Sequence, residues 1–511
     1  MRRVPLELKE VSNNVQILLR ELIAQRTGLH FPENRWGDLQ RGLTGALAEM
    51  GFADLATGAE CLLSTPLTKT QLDVLASHLT IGETYFFREK RTFEVLAAKV
   101  LPELVHARRQ GERRLRIWSA ACCTGEEAYS LAILLQQVVP DLADWNVTVL
   151  ATDINARFLK KAAAGVYGEW SFRDTPAWFK DRYFNRTEDG RYSILPEIKK
   201  RVTFAQLNLV QDAFPSLVAE TNAMDVILCR NVLMYFSPAQ AQKVARYLRR
   251  ALVPDGWLVV SPSEASQTLF TNFATVNFPG VILYQKLQAA GERAPSWSPP
   301  PVSEGHSVLA STFAGPLPEM PELSYPCPQP IFAPTMKEPP PTRSQPESYV
   351  IAASLYECGQ YAQSVDALLS LPETHSEPDL RTFPMMTRAL ANLGKLADAL
   401  AWCEKWLKAD KLDPSGHYVR AVIQQELGDA EQSRRSLLTA IYLDPRFVLA
   451  HFALGNLARA RGKITEANKH FANALGLLCE HKVDDVLLES EGLTAARLTE
   501  IITSINAMEV L

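Results

Sequence analysis

Three hydrophobic patterns succeed one another along the chain. Residues 1 to 85 place apolar side chains at helical spacing only, as in VSNNVQILLRELIAQRTG with Gly28 at its end, and predict a small N-terminal helical domain. From Leu115 short apolar runs alternate with amphipathic helical stretches: LRIWSA, then EEAYSLAILLQQVV, then WNVTVLATD, VTFAQLNL, MDVILCRNV, the helix AQAQKVARYLRRAL and GWLVVSP. Strands alternating with helices predict an α/β fold, a mostly parallel, doubly wound sheet over residues 86–287. Between two of those strands, YFNRTEDGRYSILPEIKKRVTF carries a turn signal at Glu188-Asp189-Gly190 and predicts a small β insert at about 183–205.

The third pattern is a repeat. Gly359, Gly394, Gly428 and Gly462 are spaced 35, 34 and 34 residues apart, each between two helix-period segments. Five residues after each stands a small residue, Ser364, Ala399, Ser433 or Ala467, where paired helices approach closely. Asp413-Pro414 and Asp444-Pro445 close two of the units. Residues 347–480 therefore resemble tetratricopeptide repeats, four units followed by a helical tail at 481–511. Such pairs stack into a superhelix whose groove usually takes a partner's helix or peptide, so an unidentified protein partner is expected; a packing or dimerisation role fits the same pattern.

Composition divides the chain where the patterns do. Of the 32 prolines, 15 fall in residues 288–346, which predicts an extended, disordered Pro-rich linker. As a flexible coil it would span on the order of 40 Å, enough for the repeats to dock on the sheet domain or to reach elsewhere. Lys and Arg against Asp and Glu number 34 and 30 over residues 1–287, and 19 and 27 beyond them. Neither part carries the dense basic stripe of a nucleic-acid binder. The 511 residues are too many for one core, and 47% hydrophobic with 22% charged residues excludes a wholly disordered chain. No run of 18 apolar residues predicts membrane insertion, and MRRVPLELKEVSNN lacks the apolar stretch of a secretory signal, so a cytoplasmic location is expected. Eight cysteines without a CxxC pair indicate neither a disulfide framework nor a metal site.

The candidate chemistry lies just after the strands, where doubly wound sheets bind their ligands. After LRIWSA comes Ala121-Cys122-Cys123-Thr124-Gly125-Glu126-Glu127, with one glycine instead of the GxGxxG set that cradles a pyrophosphate. Two carboxylates at a helix start either complement its dipole or capture a cationic ligand. Asp153 in VLATDIN is placed to accept the two hydroxyls of a ribose, or else to cap the next helix. A nucleoside with a free diol, no diphosphate and positive character matches S-adenosylmethionine better than a nicotinamide dinucleotide.

ETYFFRE at 83–89, WSAACCTGEEAYSLA at 118–132, ATDI at 151–154 and ILCRNVLMYF at 227–236 together resemble the CheR family of chemoreceptor glutamate methyltransferases, over about residues 10 to 287. The resemblance implies a Rossmann-like methyltransferase domain that converts S-adenosylmethionine to S-adenosylhomocysteine while esterifying glutamates on the cytoplasmic domain of a chemoreceptor. It implies that Thr84 and Arg88 line the cofactor, that Glu127 and Asp153 hold its amino-acid and ribose ends, and that Asn208-Leu209 with Arg230-Asn231 complete the pocket. Arg88 and Tyr235 would face the transferred methyl. Gly82 departs from the family, which often has asparagine there in contact with the cofactor. The insert's loop is about three residues shorter than in members that grip a receptor peptide, so no peptide tether is expected. The acceptor-facing stretch PENRWGDLQRGLTGAL offers only Arg35 and Arg41, which leaves the choice of receptor open.

Overall fold

The computed structural model describes residues 11–287, 347–370 and 380–509; the linker expected at 288–346 lies outside the described residues. Four helices open the chain, Asn13–Thr27, Trp36–Glu49, Leu55–Ser64 and Lys69–Leu79. Their apolar stripes meet in a core of their own, with Leu19, Ile23, Leu39, Leu43, Leu47 and Leu75 sealed from solvent. Gly28 ends the first helix in the left-handed region, φ +84°, and a Cβ there would fall 2.6 Å from Val210 and 2.7 Å from Phe236. The glycine thus stops the helix and lets the helical domain close onto the sheet domain's loops.

Ten strands follow: β1 Arg114–Ala120, β2 Asn146–Asp153, β3 Val166–Tyr167, β4 Phe184–Arg186, β5 Tyr192–Ile194, β6 Val202–Gln206, β7 Met224–Cys229, β8 Leu252–Val259, β9 Ala274–Phe278 and β10 Val281–Gln285. Seven form one sheet in the order β6-β2-β1-β7-β8-β10-β9, parallel from β6 to β8 and antiparallel at β10 and β9. The fold class is the one the alternation predicts. Helices cover both faces, which is why the central strands read as unbroken apolar runs. Along β1, Leu115 and Ile117 enter the core on one face, and Trp118 and Ala120 enter the core on the other. β3, β5 and β4 make the small antiparallel insert, with Gly190 at φ +79° in the turn between β4 and β5. The sequence pattern showed the hairpin but not β3, a strand of two residues.

Beyond the linker, helix pairs Glu347–Glu357 with Tyr361–Leu369, Thr382–Asn392 with Leu396–Ala409, Pro414–Glu426 with Ala430–Leu443, and Val448–Ala460 with Ile464–Leu478 repeat one unit four times. The four glycines spaced by the repeat all have positive φ, 71° to 85°, at the turn inside each pair. Ser364, Ala399, Ser433 and Ala467 are fully buried, as close helix approach demands. This is tetratricopeptide-repeat architecture, capped by the helix Ala495–Glu509.

The repeats dock on the sheet domain, and their first helices face the amino ends of the strands. Glu426, at the end of one such helix, meets Arg116 at 3.3 Å and Arg114 at 3.9 Å, both buried on β1, and accepts from Asn222 at 3.1 Å. Leu217, from the loop before β7, is buried in the repeats' own core, and its N–H donates to Glu491 at 2.7 Å. Burying such a side chain contributes roughly 1.5–3 kcal/mol. The segment around Leu217 is therefore packed into the repeats.

Candidate functional site

At the carboxyl ends of the strands a cleft opens where the order reverses: the chain runs from β1 outward to β2 and β6, then returns to β7 on β1's other side. One residue group after each of these strands lines it, Ala121 to Cys123 with Glu127 after β1, Asp153 closing β2, Asn208 and Leu209 after β6, and Arg230, Asn231 and Tyr235 after β7. Thr84 and Arg88, from the segment joining the helical domain to the sheet domain, complete the wall. All nine residues singled out from the sequence therefore share one cavity.

Backbone strain gathers at this rim. Phe87, Glu89, Ala121, Cys123 and Asn231 all adopt positive φ, between 52° and 65°, although none is glycine. Such conformations persist where surrounding contacts over-determine them, and they cluster at functional sites. Here Phe87 N–H is held by Ser130 Oγ at 3.0 Å, Cys123 N–H by Asp153, and Asn231 N–H by Glu264.

Asp153 is buried at the end of β2. Its Oδ2 accepts from Cys123 N–H at 2.9 Å and its Oδ1 from Asn155 N–H at 2.8 Å. An ionised carboxylate has about four acceptor sites, so each oxygen keeps capacity for a ligand hydroxyl. Burial pushes its pKa up to about 6, against the pull of those backbone donors. The helix-cap alternative belongs to its neighbour: Asn155 Oδ1 accepts from Arg157 N–H and Phe158 N–H.

The two carboxylates after β1 separate in role. Glu126 turns into the protein, accepting from Thr124 Oγ1 at 2.7 Å and Ser171 Oγ at 2.9 Å, and burial raises its pKa. Glu127 lines the cleft, held by Ser119 Oγ at 2.7 Å and by Arg230 Nη1 at 2.8 Å. Arg230 also donates to the Arg88 carbonyl at 2.7 Å and pairs with Glu89 at 2.9 Å, so it braces the Arg88 segment against Glu127. Arg88 itself donates from Nη1 to the Glu83 carbonyl and stands near the Tyr85 ring, leaving most of its guanidinium fork without a hydrogen bond to the described residues. Asn208 is fixed on three sides, Nδ2 on the Arg26 carbonyl at 2.8 Å, Oδ1 on Val210 N–H at 3.0 Å and its own N–H on Asp212 at 2.7 Å.

Gly82 has a structural counterpart: a Cβ there would lie 2.8 Å from the tip of the Phe158 ring, which fills the space a larger side chain would take. Cys122 and Cys123 border the cleft and Cys229 lies in the core beneath it. Burial pushes the Cys123 thiol up to about 12 and the other two well above their ordinary range, which favours the thiol over the nucleophilic thiolate in all three. Arg35 and Arg41 both pair with Asp38, which offsets much of the little positive charge on that helix.

Sequence reasoning missed Glu264. Its buried carboxylate accepts from Asn231 N–H at 2.7 Å, Val232 N–H at 2.7 Å and Ser261 N–H at 3.1 Å, pinning the loop that carries Arg230, Asn231 and Tyr235. The signal was present as Ser261-Pro262-Ser263-Glu264, a capping box just after the last parallel strand.

Residues 82–281 match the family described as CheR methyltransferase, SAM binding domain. The chain is 32% identical over 259 residues to "Chemotaxis protein methyltransferase 2" of Vibrio cholerae, covering 51% of this chain and 88% of that protein. It is 30% identical over 248 residues to "Chemotaxis protein methyltransferase" of Borreliella burgdorferi, covering 48% and 86%. Similarity to "Probable biofilm formation methyltransferase WspC" of Pseudomonas aeruginosa extends further, 28% identity over 395 residues, 77% of this chain and 83% of that one. Among solved structures, a fragment of MamA from Desulfovibrio magneticus RS-1 aligns with a TM-score of 0.24 at 20% identity, over 26% of this chain and 76% of that chain.

Proposed function

This chain belongs to the CheR methyltransferase family, and we propose that it transfers the methyl group of S-adenosylmethionine to glutamate carboxylates on the cytoplasmic domain of a chemoreceptor-type protein, forming methyl esters. The cofactor class and the methyl-transfer activity come with the family. The acceptor, the residue roles and a cytoplasmic site of action are our reading. The observation that carries it is the pairing within one cleft of a carboxylate with acceptor capacity for a ribose, Asp153, with an arginine at the rim, Arg88, whose fork is largely unengaged among the described residues.

The residues present fit S-adenosylmethionine. Asp153 has acceptor capacity for both ribose hydroxyls, and Glu127 places negative charge where an ammonium or sulfonium would be drawn. Thr84, Asn208, Leu209, Arg230 and Asn231 would close around the rest. When bound, the cofactor supplies a methyl group already activated by the positive sulfur. A glutamate acceptor, with an ordinary pKa of about 4.3, is a carboxylate at neutral pH, so the chain need not provide a general base. Its task is placement, and orienting two reactants can supply several kcal/mol. Arg88 offers a fork that matches a carboxylate, and the Tyr235 hydroxyl offers a hydrogen bond beside it.

Among the described residues no helix is long and apolar enough to cross a membrane, in keeping with an enzyme that meets its receptor from the cytoplasm. The short turn at Glu188-Asp189-Gly190 has no glycine-rich extension to hold a peptide, and the repeats are our candidate for the missing contacts with a protein partner. Leu412 and Tyr442 there are open to such contacts.

The test is transfer of labelled methyl from S-adenosylmethionine to membranes carrying the organism's receptors. Base-labile label on a receptor is expected from the intact protein, with a loss of roughly 100-fold in Arg88→Ala if the arginine orients the acceptor. Measurable cofactor binding with no label on any receptor would overturn the acceptor assignment.

A further inference from the structure

The last helix of the chain reaches the cofactor end of the sheet. Arg497, on helix Ala495–Glu509, donates from Nη2 to the carbonyl of Gln206 at 2.9 Å and to Asp212 Oδ2 at 2.7 Å. Gln206 is the last residue of β6, and the same Asp212 oxygen accepts the N–H of Asn208 at 2.7 Å. Leu207, Asn208 and Leu209, three of the five residues between those two anchors, line the cleft. The Arg497 guanidinium is fixed in turn by Glu500 through Nη1 at 2.8 Å.

We propose that Arg497 is a positioning residue for the cofactor: it clamps both ends of the Leu207–Gln211 segment, which carries the cleft residues Leu207, Asn208 and Leu209, and so couples the repeat domain to cofactor affinity. This rests on the reading that the cleft holds S-adenosylmethionine. The physical reason is charge. Asp212 is only 14% exposed in its side chain and pairs with Arg497, 19% exposed. A carboxylate removed from water needs such a partner, and without one it turns outward or takes a proton. The first response withdraws the acceptor that holds Asn208 N–H and the second weakens it by removing its charge, so the segment loses its fixed register against Asp153. Leu207 N–H donates to the Asp153 carbonyl at 3.1 Å, so the disturbance adjoins the ribose carboxylate. Because Arg497 follows the fourth repeat, whatever shifts the repeats also shifts the clamp.

The measurement is calorimetric titration of the full-length chain with S-adenosylhomocysteine, for the native protein and for Arg497→Gln, Arg497→Lys, Asp212→Asn, the Arg497→Gln/Asp212→Asn double variant and Asp153→Ala. Loss of one charge-assisted contact sets the scale, about tenfold weaker binding for Arg497→Gln. Lysine should recover most of that loss, the double variant should be no weaker than the worse single one, and turnover at saturating cofactor should be retained. A merely structural arginine would lower thermal stability without this rescue or this split. If Arg497→Gln does not fold, Arg497→Lys and Asp212→Asn still report the coupling. Binding within twofold of native in Arg497→Gln, with affinity lost in Asp153→Ala, would overturn the clamp and leave the cofactor site standing. Native affinity in Asp153→Ala would overturn the site and the clamp with it.

Discussion

The central sheet buries charge at both of its ends, and the two ends treat it differently. At the amino ends, Arg114 and Arg116 face Glu426 of the repeats, and the fully buried Asp225 pairs with Arg108, so the chain supplies its own counter-charges. At the carboxyl ends, Arg230 is likewise neutralised by Glu127 and Glu89, but Asp153 has no cation among the described residues and keeps acceptor capacity toward an open cleft. Closed ion pairs contribute to docking. A buried carboxylate held by backbone donors alone, at the mouth of a cavity, is prepared for a ligand.

The sharpest way to break this contrast is to remove that carboxylate. Two hydroxyl contacts to an ionised group at about 1.5–3 kcal/mol each predict that Asp153→Ala weakens S-adenosylhomocysteine binding by at least about 100-fold. The sign of the pH effect follows. The pKa of about 6 lies above the ordinary 3.8, so protonation begins within reach of neutral pH, and the ligand prefers the ionised form. Affinity should be level above about pH 7 and fall as pH drops through about 6, by up to about tenfold per unit. Calorimetry across this range checks it, and Asp153→Asn should flatten the profile. A native protein with equal affinity at pH 5 and pH 8 would remove the carboxylate from the site.

How much of this was legible before folding follows the same division. The ligand end could be read because all its contributing residues but Thr84 and Arg88 lie at or soon after a strand end, and strand ends are marked in the sequence by an apolar run that stops: LRIWSA before Ala121, VLATD at Asp153, ILC before Arg230. Asp212 was less visible, because it acts through the backbone N–H of a neighbour, and Glu264 showed only as the end of the capping box that begins at Ser261. The docking end could not be read. Glu426 is one glutamate among many on a helix surface, and it meets Arg116 across 310 residues of sequence, a proximity that no local pattern encodes. The repeats were legible as a period, since a glycine with positive φ is needed at each turn, but the surface their first helices cover was not.

Glu426 is the test of the closed end. Glu426→Ala leaves Arg114 and Arg116 buried with less compensation, and breaking such a network costs about 3 kcal/mol. The loss should fall on docking, so calorimetric unfolding of the variant should show the repeats separating at lower temperature than the sheet domain. Glu426→Gln, which retains the contact with Asn222, should lie between the variant and the native protein. A single transition at the native temperature would show that the two guanidinium groups are held by the Ala223 and Glu220 carbonyls alone.

The smallest effect separates fold from docking within the repeats. Gly462 and Gly359 hold the same turn position, with φ of 71° and 74°. Around Gly462 no described residue lies within 4 Å of an added Cβ, whereas at Gly359 that atom would fall 2.4 Å from Arg250 Cγ, on the sheet domain's helix Pro238–Ala251. Gly462→Ala therefore carries only the left-handed backbone penalty, roughly 1 kcal/mol, a fall of a few degrees in Tm. Gly359→Ala carries the same penalty and also pushes Arg250 away from the repeats, so it should lower Tm further. The difference between the two measures what the docked surface adds at that point. Equal shifts would mean that Arg250 moves aside freely, and that the weight of docking rests on the Glu426 network and on Leu217.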